Sequence, residues 1–139
     1  MCQGRRHQRG NEKMNDLKKL FEQVIKGNLP GDFDQWSLAN DYGWTVAHVA
    51  ATYGHLPADF DQWDLKHKDG RTVAHKAAAY GHLPPDFEEW GIADDDGWTV
   101  AHEAAYHGDL PPDFDRWTLA TNNGITVRDV YKTWRIQNE

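Results

Sequence analysis

Three sets of residues in the sequence have types and spacings that could perform chemistry. The first is an acidic segment in which Asp94, Asp96 and Glu103 match part of a calcium-binding loop. The first ligand position of such a loop is occupied here by Ile92, whose side chain offers no oxygen. The sequence also does not indicate flanking helices of EF-hand length, so a calcium site is disfavoured.

The second set is three histidines, His48, His75 and His102, which recur every 27 residues and could form a metal site or a proton relay. Packed helices lie about 8–10 Å apart, whereas zinc needs each of its ligands within ~2.1 Å. Imidazoles on neighbouring helices therefore could not share one zinc ion. Cys2 is the only cysteine, so a cysteine-based metal site is not expected and an internal disulfide is excluded. We predict no metal and no other cofactor.

The third set consists of acidic pairs that invite a general acid–base interpretation: Asp59 with Asp61, Asp86 with Glu88, and Asp113 with Asp115. A catalytic pair is normally built once, in a cleft, whereas these pairs recur. We expect the first carboxylate of each pair to cap its turn and the second to be solvated. Because serine–histidine, phosphate-loop and nucleophilic-cysteine motifs are also missing from the sequence, we predict that the protein is not an enzyme.

All three sets belong to an internal repeat of 27 residues, marked by Gly43, Gly70, Gly97 and Gly124. The segments aligned on these glycines are GWTVAHVAATYGHLPADFDQWDL, GRTVAHKAAAYGHLPPDFEEWGI, GWTVAHEAAYHGDLPPDFDRWTL and the truncated GITVRDVYKTWR. Upstream, DLKKLFEQVIKGNLPGDFDQWSL fits the same frame. The chain thus has five units, numbered 1 to 5 here, of which the first and last are divergent capping units.

The first half of each unit predicts a helix. In unit 2, Thr45 stands at the N-cap position, while Ala47, Ala50 and Ala51 form an apolar stripe. Gly54 is placed to end the helix in a left-handed conformation. The predicted helices are 15–26, 45–53, 72–80, 99–107 and 126–134.

The second half of each unit predicts a short helical or 3₁₀ turn that begins at a proline such as Pro57 and presents Phe60 and Trp63 on one side. These turns are expected near 31–36, 58–63, 85–90 and 112–117, with the repeated tryptophans in the core: Trp36, Trp63, Trp90 and Trp117. One unit cannot bury its apolar face alone, so the units must stack. The predicted fold class is all-α, a short α-solenoid with few or no strands.

The string G-x-T-V-A-H-x-A-A-x-x-G-H-L closely resembles the first half of an ankyrin repeat, G-x-T-P-L-H-x-A-A-x-x-G-H. The resemblance covers 43–56, 70–83 and 97–110, with Asp109 in place of the last histidine. It implies a shortened ankyrin-like solenoid, because LPPDFEEW replaces the second helix of a unit that usually has about 33 residues. It also implies that His48, His75 and His102 are structural and tie threonine and backbone groups together between repeats.

Charge divides the chain into two parts. Residues 1–13 have a net charge of +3 and the remainder −10, within a total of −7. We expect 1–13 to be a disordered basic leader and 14–139 to be one solenoid. An acidic body disfavours direct binding of nucleic acid. Since the sequence has neither a span of ~20 apolar residues nor a secretory signal, we expect a cytoplasmic monomer that does not contact membranes.

Differences among the units concentrate where packing does not decide the residue, and in ankyrin-like proteins the matching positions line the concave binding face. We define the variable set as Asp41, Tyr42, Trp44, Tyr53, Asp69, Arg71, Tyr80, Asp95, Asp96, Trp98, Tyr106 and His107. Tyrosine and tryptophan dominate interface hot spots, and we expect Trp44 and Trp98 to face solvent. The predicted function is non-catalytic protein–protein interaction through this aromatic and acidic face, with a partner that has a basic rim. The alternative is an acidic inhibitor that mimics nucleic acid and blocks a nucleic-acid-binding enzyme.

Overall fold

The computed structural model describes residues 17–138, and this part of the chain contains five α-helices and no β-strand. The helices are α1 (17–26), α2 (Val46–Tyr53), α3 (Val73–Ala79), α4 (Val100–Tyr106) and α5 (Val127–Gln137), one in each unit. The predicted all-α class is confirmed for these residues. The basic leader and the predicted start of α1 at residue 15 lie outside the described residues. Between residues 17 and 138, no helix is both long enough and apolar enough to cross a membrane.

Helices α2 to α5 begin where the threonines predict. In α3, Thr72 Oγ1 accepts a hydrogen bond from His75 N at 3.2 Å, and Thr72 N donates to His75 Nδ1 at 3.3 Å. This reciprocal pair is a capping box in which histidine takes the place of the usual Glu or Gln. The threonine is therefore the N-cap, and each of these helices starts one residue later than predicted.

Glycine determines where the helices end. Gly54 closes α2 in the left-handed region at φ 75°, which costs other residues energy. Arg135 stands at the equivalent position of unit 5 and has no reason to adopt that conformation. Helix α5 consequently continues to Gln137, beyond the predicted end at residue 134.

The predicted helical turn in the second half of each unit was wrong. Unit 2 has two successive β-turns there, closed by Phe60 N donating to Pro57 O at 3.1 Å and Leu65 N donating to Gln62 O at 3.2 Å. The carbonyls of the second turn point to the next helix: Trp63 O accepts from Ala74 N at 3.1 Å, and Leu65 O accepts from Val73 N at 2.9 Å. A continuous helix would direct these carbonyls along its own axis, so the first amides of α3 would lose their partners.

The helices pack in chain order, α2 against α3, α3 against α4 and α4 against α5, and no other pair among these four is in contact. The contact surfaces of α2, α3 and α4 are made mainly of alanines. In α2, Val46, Ala47, Ala50 and Ala51 are each at most 1% exposed, which confirms the predicted stripe. Short side chains allow the helix backbones to approach closely, so each helix buries its apolar stripe mainly against its neighbours.

The aromatic side chains of the turns form a ladder that crosses units 1 to 4. It runs through Phe33, Trp36, Phe60, Trp63, Phe87, Trp90, Phe114 and Trp117, with successive ring centroids 4.8–5.4 Å apart and ring planes 80–90° to one another. Such edge-to-face pairs are the favoured aromatic geometry. Trp36, Trp63 and Trp90 are buried as predicted. Trp117 is half-buried and contacts Tyr131 of α5 instead of another Phe–Trp pair.

Candidate binding face

The turn before each unit's first glycine positions the aromatic residue that follows it. In unit 4, Asp94 Oδ1 accepts hydrogen bonds from Asp96 N and Trp98 N, both at 3.0 Å. Gly97 completes this turn at φ 80°. Asn40 Oδ1 holds Trp44 N in the same way at 3.1 Å. The acidic segment that resembles a calcium loop is therefore a turn in which Asp94 binds backbone amides.

The buried histidines connect each helix to the next unit. His48, His75 and His102 contact their own N-cap threonines through Nδ1, and their Nε2 atoms lie 3.1, 2.7 and 2.8 Å from backbone carbonyls of the following unit. The partner carbonyls belong to Arg71, Trp98 and Ile125. Because a carbonyl only accepts, Nε2 carries the proton and Nδ1 accepts from the threonine hydroxyl. This geometry matches the structural arrangement that the resemblance implies.

Burial keeps these imidazoles neutral. Desolvation lowers the pKa of His48 to about 4, and desolvation also lowers the pKa of His75 and His102. All three rings are almost inaccessible to solvent. Within residues 17–138, no group of three or more His, Cys, Asp or Glu side chains is arranged to hold a metal ion.

Trp44 lies against the unit that follows it. Its ring centroid is 3.8 Å from that of His67, and Lys76 Nζ is 4.0 Å above the indole in a cation–π contact. The same ammonium is 6.0 Å from the Tyr80 ring. Burial and the neighbouring Arg71 charge lower the pKa of Lys76. Trp44 and Tyr80 of the variable set are thus joined through a lysine that lies outside the set.

Units 3, 4 and 5 enclose a groove of ≈ 720 Å³, called the Glu103 groove below. Its lining residues are Arg71, Asp96, Trp98, Glu103, Tyr106, Thr121, Asn123 and Ile125. Glu103 has a side chain only 8% exposed, and its Oε2 accepts from Trp98 Nε1 at 2.6 Å. Arg71 Nη1 is 3.8 Å from the other oxygen, Oε1, and His107 Nε2 is 3.5 Å from it.

The structure brings five members of the variable set together around Glu103: Arg71, Asp96, Trp98, Tyr106 and His107. Trp44 and Tyr80 share Lys76 in the adjacent cluster. Asp69 contacts His67 at 2.8 Å, His67 in turn bonds the Tyr42 carbonyl at 3.0 Å, and Asp95 lies 3.9 Å from Lys66. Asp41 and Tyr53 are exposed, and the side chain of neither forms a hydrogen bond or ion pair within the described part of the chain.

The expectation that Trp44 and Trp98 face solvent was wrong, since both are half-buried. Trp44 packs on the next unit, and Trp98 is held by Glu103 and lies 5.1 Å from the ring of His102. The tyrosines are the exposed aromatics of the variable set: Tyr42 is 71% exposed, Tyr53 48%, Tyr80 53% and Tyr106 62%.

The variable set missed Lys76 and Glu103, which organise the two clusters. Both occupy the helix position held by Val49 in unit 2. Valine, lysine and glutamate at equivalent positions differ as much as any residues in the set. This variation among the units could therefore have identified the position from the sequence. The position escaped selection because it lies inside a helix, between the two stretches from which the set was taken.

The acidic pairs lie on a separate surface. Asp86, Glu88, Asp113 and Asp115 line a groove of ≈ 350 Å³ together with Arg116. All of these side chains are exposed. The predicted capping by the first carboxylate of each pair was wrong, because neither Asp86 nor Asp113 forms a hydrogen bond within residues 17–138. Main-chain bonds close these turns instead.

Comparison with known proteins finds no protein-family model that matches the chain and no curated protein that matches it.

Proposed function

We propose that this protein is a shortened ankyrin-like solenoid that acts as a non-catalytic protein-binding module through the variable set. The observation that carries the proposal is the exposure of Tyr42, Tyr53, Tyr80 and Tyr106, between 48% and 71%. Units 2 and 3 already bury their Phe–Trp pairs, and units 2 to 4 bury their alanine stripes, so packing does not require these rings on the surface. Tyrosine offers apolar area and a hydroxyl at low cost in conformational entropy, which suits an interface anchor.

Three observations support the solenoid part of the proposal. The same N-cap, bridging histidine and aromatic pair recur at intervals of 27 residues. Among helices α2 to α5, only helices that are consecutive in the chain are in contact. Arg128 and Lys132 of α5 are exposed, although they stand at the positions of the buried Ala101 and Ala105 of α4, as expected of a divergent capping helix. This nearest-neighbour arrangement is the one that defines repeat architectures.

Charge indicates the kind of partner. The variable set contains Asp41, Asp69, Asp95 and Asp96 against one arginine, and their side chains are exposed. A partner with basic residues around an apolar centre would complement this surface. We further propose a cytoplasmic monomer, since the single cysteine, Cys2, excludes an internal disulfide and suits a reducing compartment.

Affinity capture from the native host with three matched baits tests the proposal. The baits are the unaltered protein, the double variant Tyr80→Ala/Tyr106→Ala, and the control variant Ile136→Ala. Ile136 is 75% exposed and lies outside the variable set, so its truncation removes exposed apolar surface elsewhere on the protein. We expect at least one protein to be retained by the unaltered chain and by the control but not by the double variant.

Salt separates the two candidate functions. Binding anchored by aromatic burial should persist when salt is raised from 0.1 to 0.5 M, whereas binding by nucleic-acid mimicry should weaken steeply. A partner that survives the double tyrosine substitution but dissociates with salt would favour the mimic. Equal retention by all three baits at every salt concentration would contradict binding through the variable set.

A further inference from the structure

Trp44 and Trp98 occupy the same position two units apart, yet within residues 17–138 only Trp44 forms a cation–π contact. Lys76 Nζ covers Trp44 at 4.0 Å. The residue equivalent to Lys76 for Trp98 is Val130, which lines a shallow cavity with Trp98 and brings no charge. The indole of Trp98 therefore borders open grooves, whereas the indole of Trp44 is covered by an ammonium group.

The Glu103 groove contains a carboxylate whose bonding is incomplete. Oε2 of Glu103 accepts from Trp98 Nε1, but Oε1 has only Arg71 and His107 nearby, at 3.8 and 3.5 Å. Both separations exceed the 2.7–2.9 Å of a charge-assisted N–H···O bond. Within residues 17–138, no hydrogen bond to Oε1 is formed, although the side chain is only 8% exposed. No buried side-chain oxygen or nitrogen among residues 17–138 lacks a hydrogen-bond partner, so the unbonded Oε1 is open to solvent within the groove. An accessible anionic oxygen on a largely desolvated carboxylate favours an incoming cationic donor.

The walls of the groove favour a flat cation. The rings of Trp98 and Tyr106 have centroids 6.4 Å apart and planes 72° to one another, so they form two sides of a corner. Asp96 adds a second carboxylate, while Thr121 and Asn123 add polar lining. A guanidinium can stack on an aromatic face and donate from five N–H groups, whereas an ammonium is a compact point charge. The ≈ 720 Å³ of the groove accommodates an arginine side chain with its flanking backbone.

We propose that the Glu103 groove binds an arginine side chain of the partner protein, with the guanidinium against Trp98 and bonded to Glu103 Oε1. This inference rests on the proposed protein-binding function and names the chemistry of the partner residue. Arg71 competes weakly for the same oxygen, because its side chain is 46% exposed and remains 3.8 Å away.

Peptide titration followed by the indole N–H signals in ¹H–¹⁵N NMR spectra tests the proposal. The probes are three capped tripeptides, glycine–X–glycine, in which X is arginine, citrulline or lysine. Citrulline has the shape of arginine without its charge. We expect the arginine peptide to shift the Trp98 indole signal, identified with Trp98→Phe, in a saturable manner and to leave the Trp44 signal unmoved. The citrulline and lysine peptides should bind at least about tenfold more weakly, the size of losing one charge-assisted bond.

Two substitutions in the groove should act in opposite directions. In Glu103→Gln the new amide can still accept a hydrogen bond from Trp98 Nε1, but the affinity of the arginine peptide should fall at least about tenfold. Arg71→Gln removes the competing cation and should increase the affinity of the arginine peptide several-fold. Glu88→Gln, an exposed carboxylate on the other surface, is the matched control and should change nothing.

The proposal is overturned if the arginine peptide shifts neither indole, shifts Trp44 and Trp98 alike, or binds no better than the citrulline or lysine peptide. Retention of its affinity in Glu103→Gln would overturn it as well. The peptide titration is measured with both tyrosines in place, so it is scored separately from the bait experiment, although Tyr106 also lines the groove. A partner lost on Tyr80→Ala/Tyr106→Ala, without arginine binding, would leave the protein-binding function standing and remove only the arginine site.

Discussion

Acidification from pH 7 to pH 5 should destabilise this protein through its buried histidines. The neutral ring of His48 is fully paired, with Nδ1 2.6 Å from Thr45 Oγ1 and Nε2 3.1 Å from Arg71 O. Burial lowers its folded-state pKa to about 4, from 6.5 when the ring is solvated. Protonation therefore favours the unfolded chain, which binds the proton first as the pH falls.

The sign and size of this loss of stability follow from the linkage between proton binding and folding. Above pH 6.5 both states of His48 are neutral and stability is complete, and between pH 6.5 and about 4 the folded state loses up to about 1.4 kcal/mol per pH unit. From pH 7 to pH 5, His48 alone should cost about 2 kcal/mol. His75 and His102 act in the same direction, because burial lowers their pKa too. The pKa values of Asp69 and Asp129 are lowered below 3.8. The stability that these two carboxylates contribute to the fold is therefore lost only under more acidic conditions than those of this experiment.

Urea unfolding monitored by tryptophan fluorescence at pH 7.0, 6.0 and 5.0 measures this effect. The comparison is His48→Gln, whose amide can still donate to a carbonyl but does not titrate. This variant should be less stable than the unaltered protein at pH 7 and should lose about 2 kcal/mol less on acidification. Equal losses in the two proteins would refute the assignment of His48 as a buried neutral bridge between units.

Five further substitutions test the packing by thermal and urea unfolding. Trp63→Ala should cost about 3–5 kcal/mol because it interrupts the buried aromatic ladder, whereas the half-buried Trp44→Ala should cost clearly less; equal costs would mean that Trp44 is a core residue. Gly97→Ala should cost at least about 2 kcal/mol, since φ is 80° and the new Cβ would lie 2.6 Å from the main chain of the next turn. Gly31→Ala has open space around it and should be nearly neutral, so similar losses at both glycines would contradict this account. His75→Ala should lower stability by about 2 kcal/mol or more but leave capture of a partner unchanged below the melting temperature; weakened capture by the folded variant would place His75 in the interface.

The positions of the helices were predictable from the sequence because their signals are local. Thr45 caps the helix that begins one residue later, and Gly54 ends it, so a few neighbouring residues decide both boundaries. The repeat made these weak local signals reliable by showing them several times. The alanine stripe and the buried Trp63 followed from periodicity for the same reason. The Pro57 segment was predicted wrongly, because its carbonyls bond to amides of the next unit, a partner that local rules do not contain.

The candidate site was decided by contacts between units. The sequence by itself determined the 27-residue frame, the helices and the positions free to vary. Tertiary structure decided that Lys76 covers Trp44 and that Arg71 approaches Glu103, pairs that are 32 residues apart in the chain. It also left Trp98 beside an open groove, because Val130 stands where a lysine covers its counterpart. The physical reason is that a side chain's exposure depends on what the neighbouring unit places against it, and residue types within a single unit do not specify that neighbour.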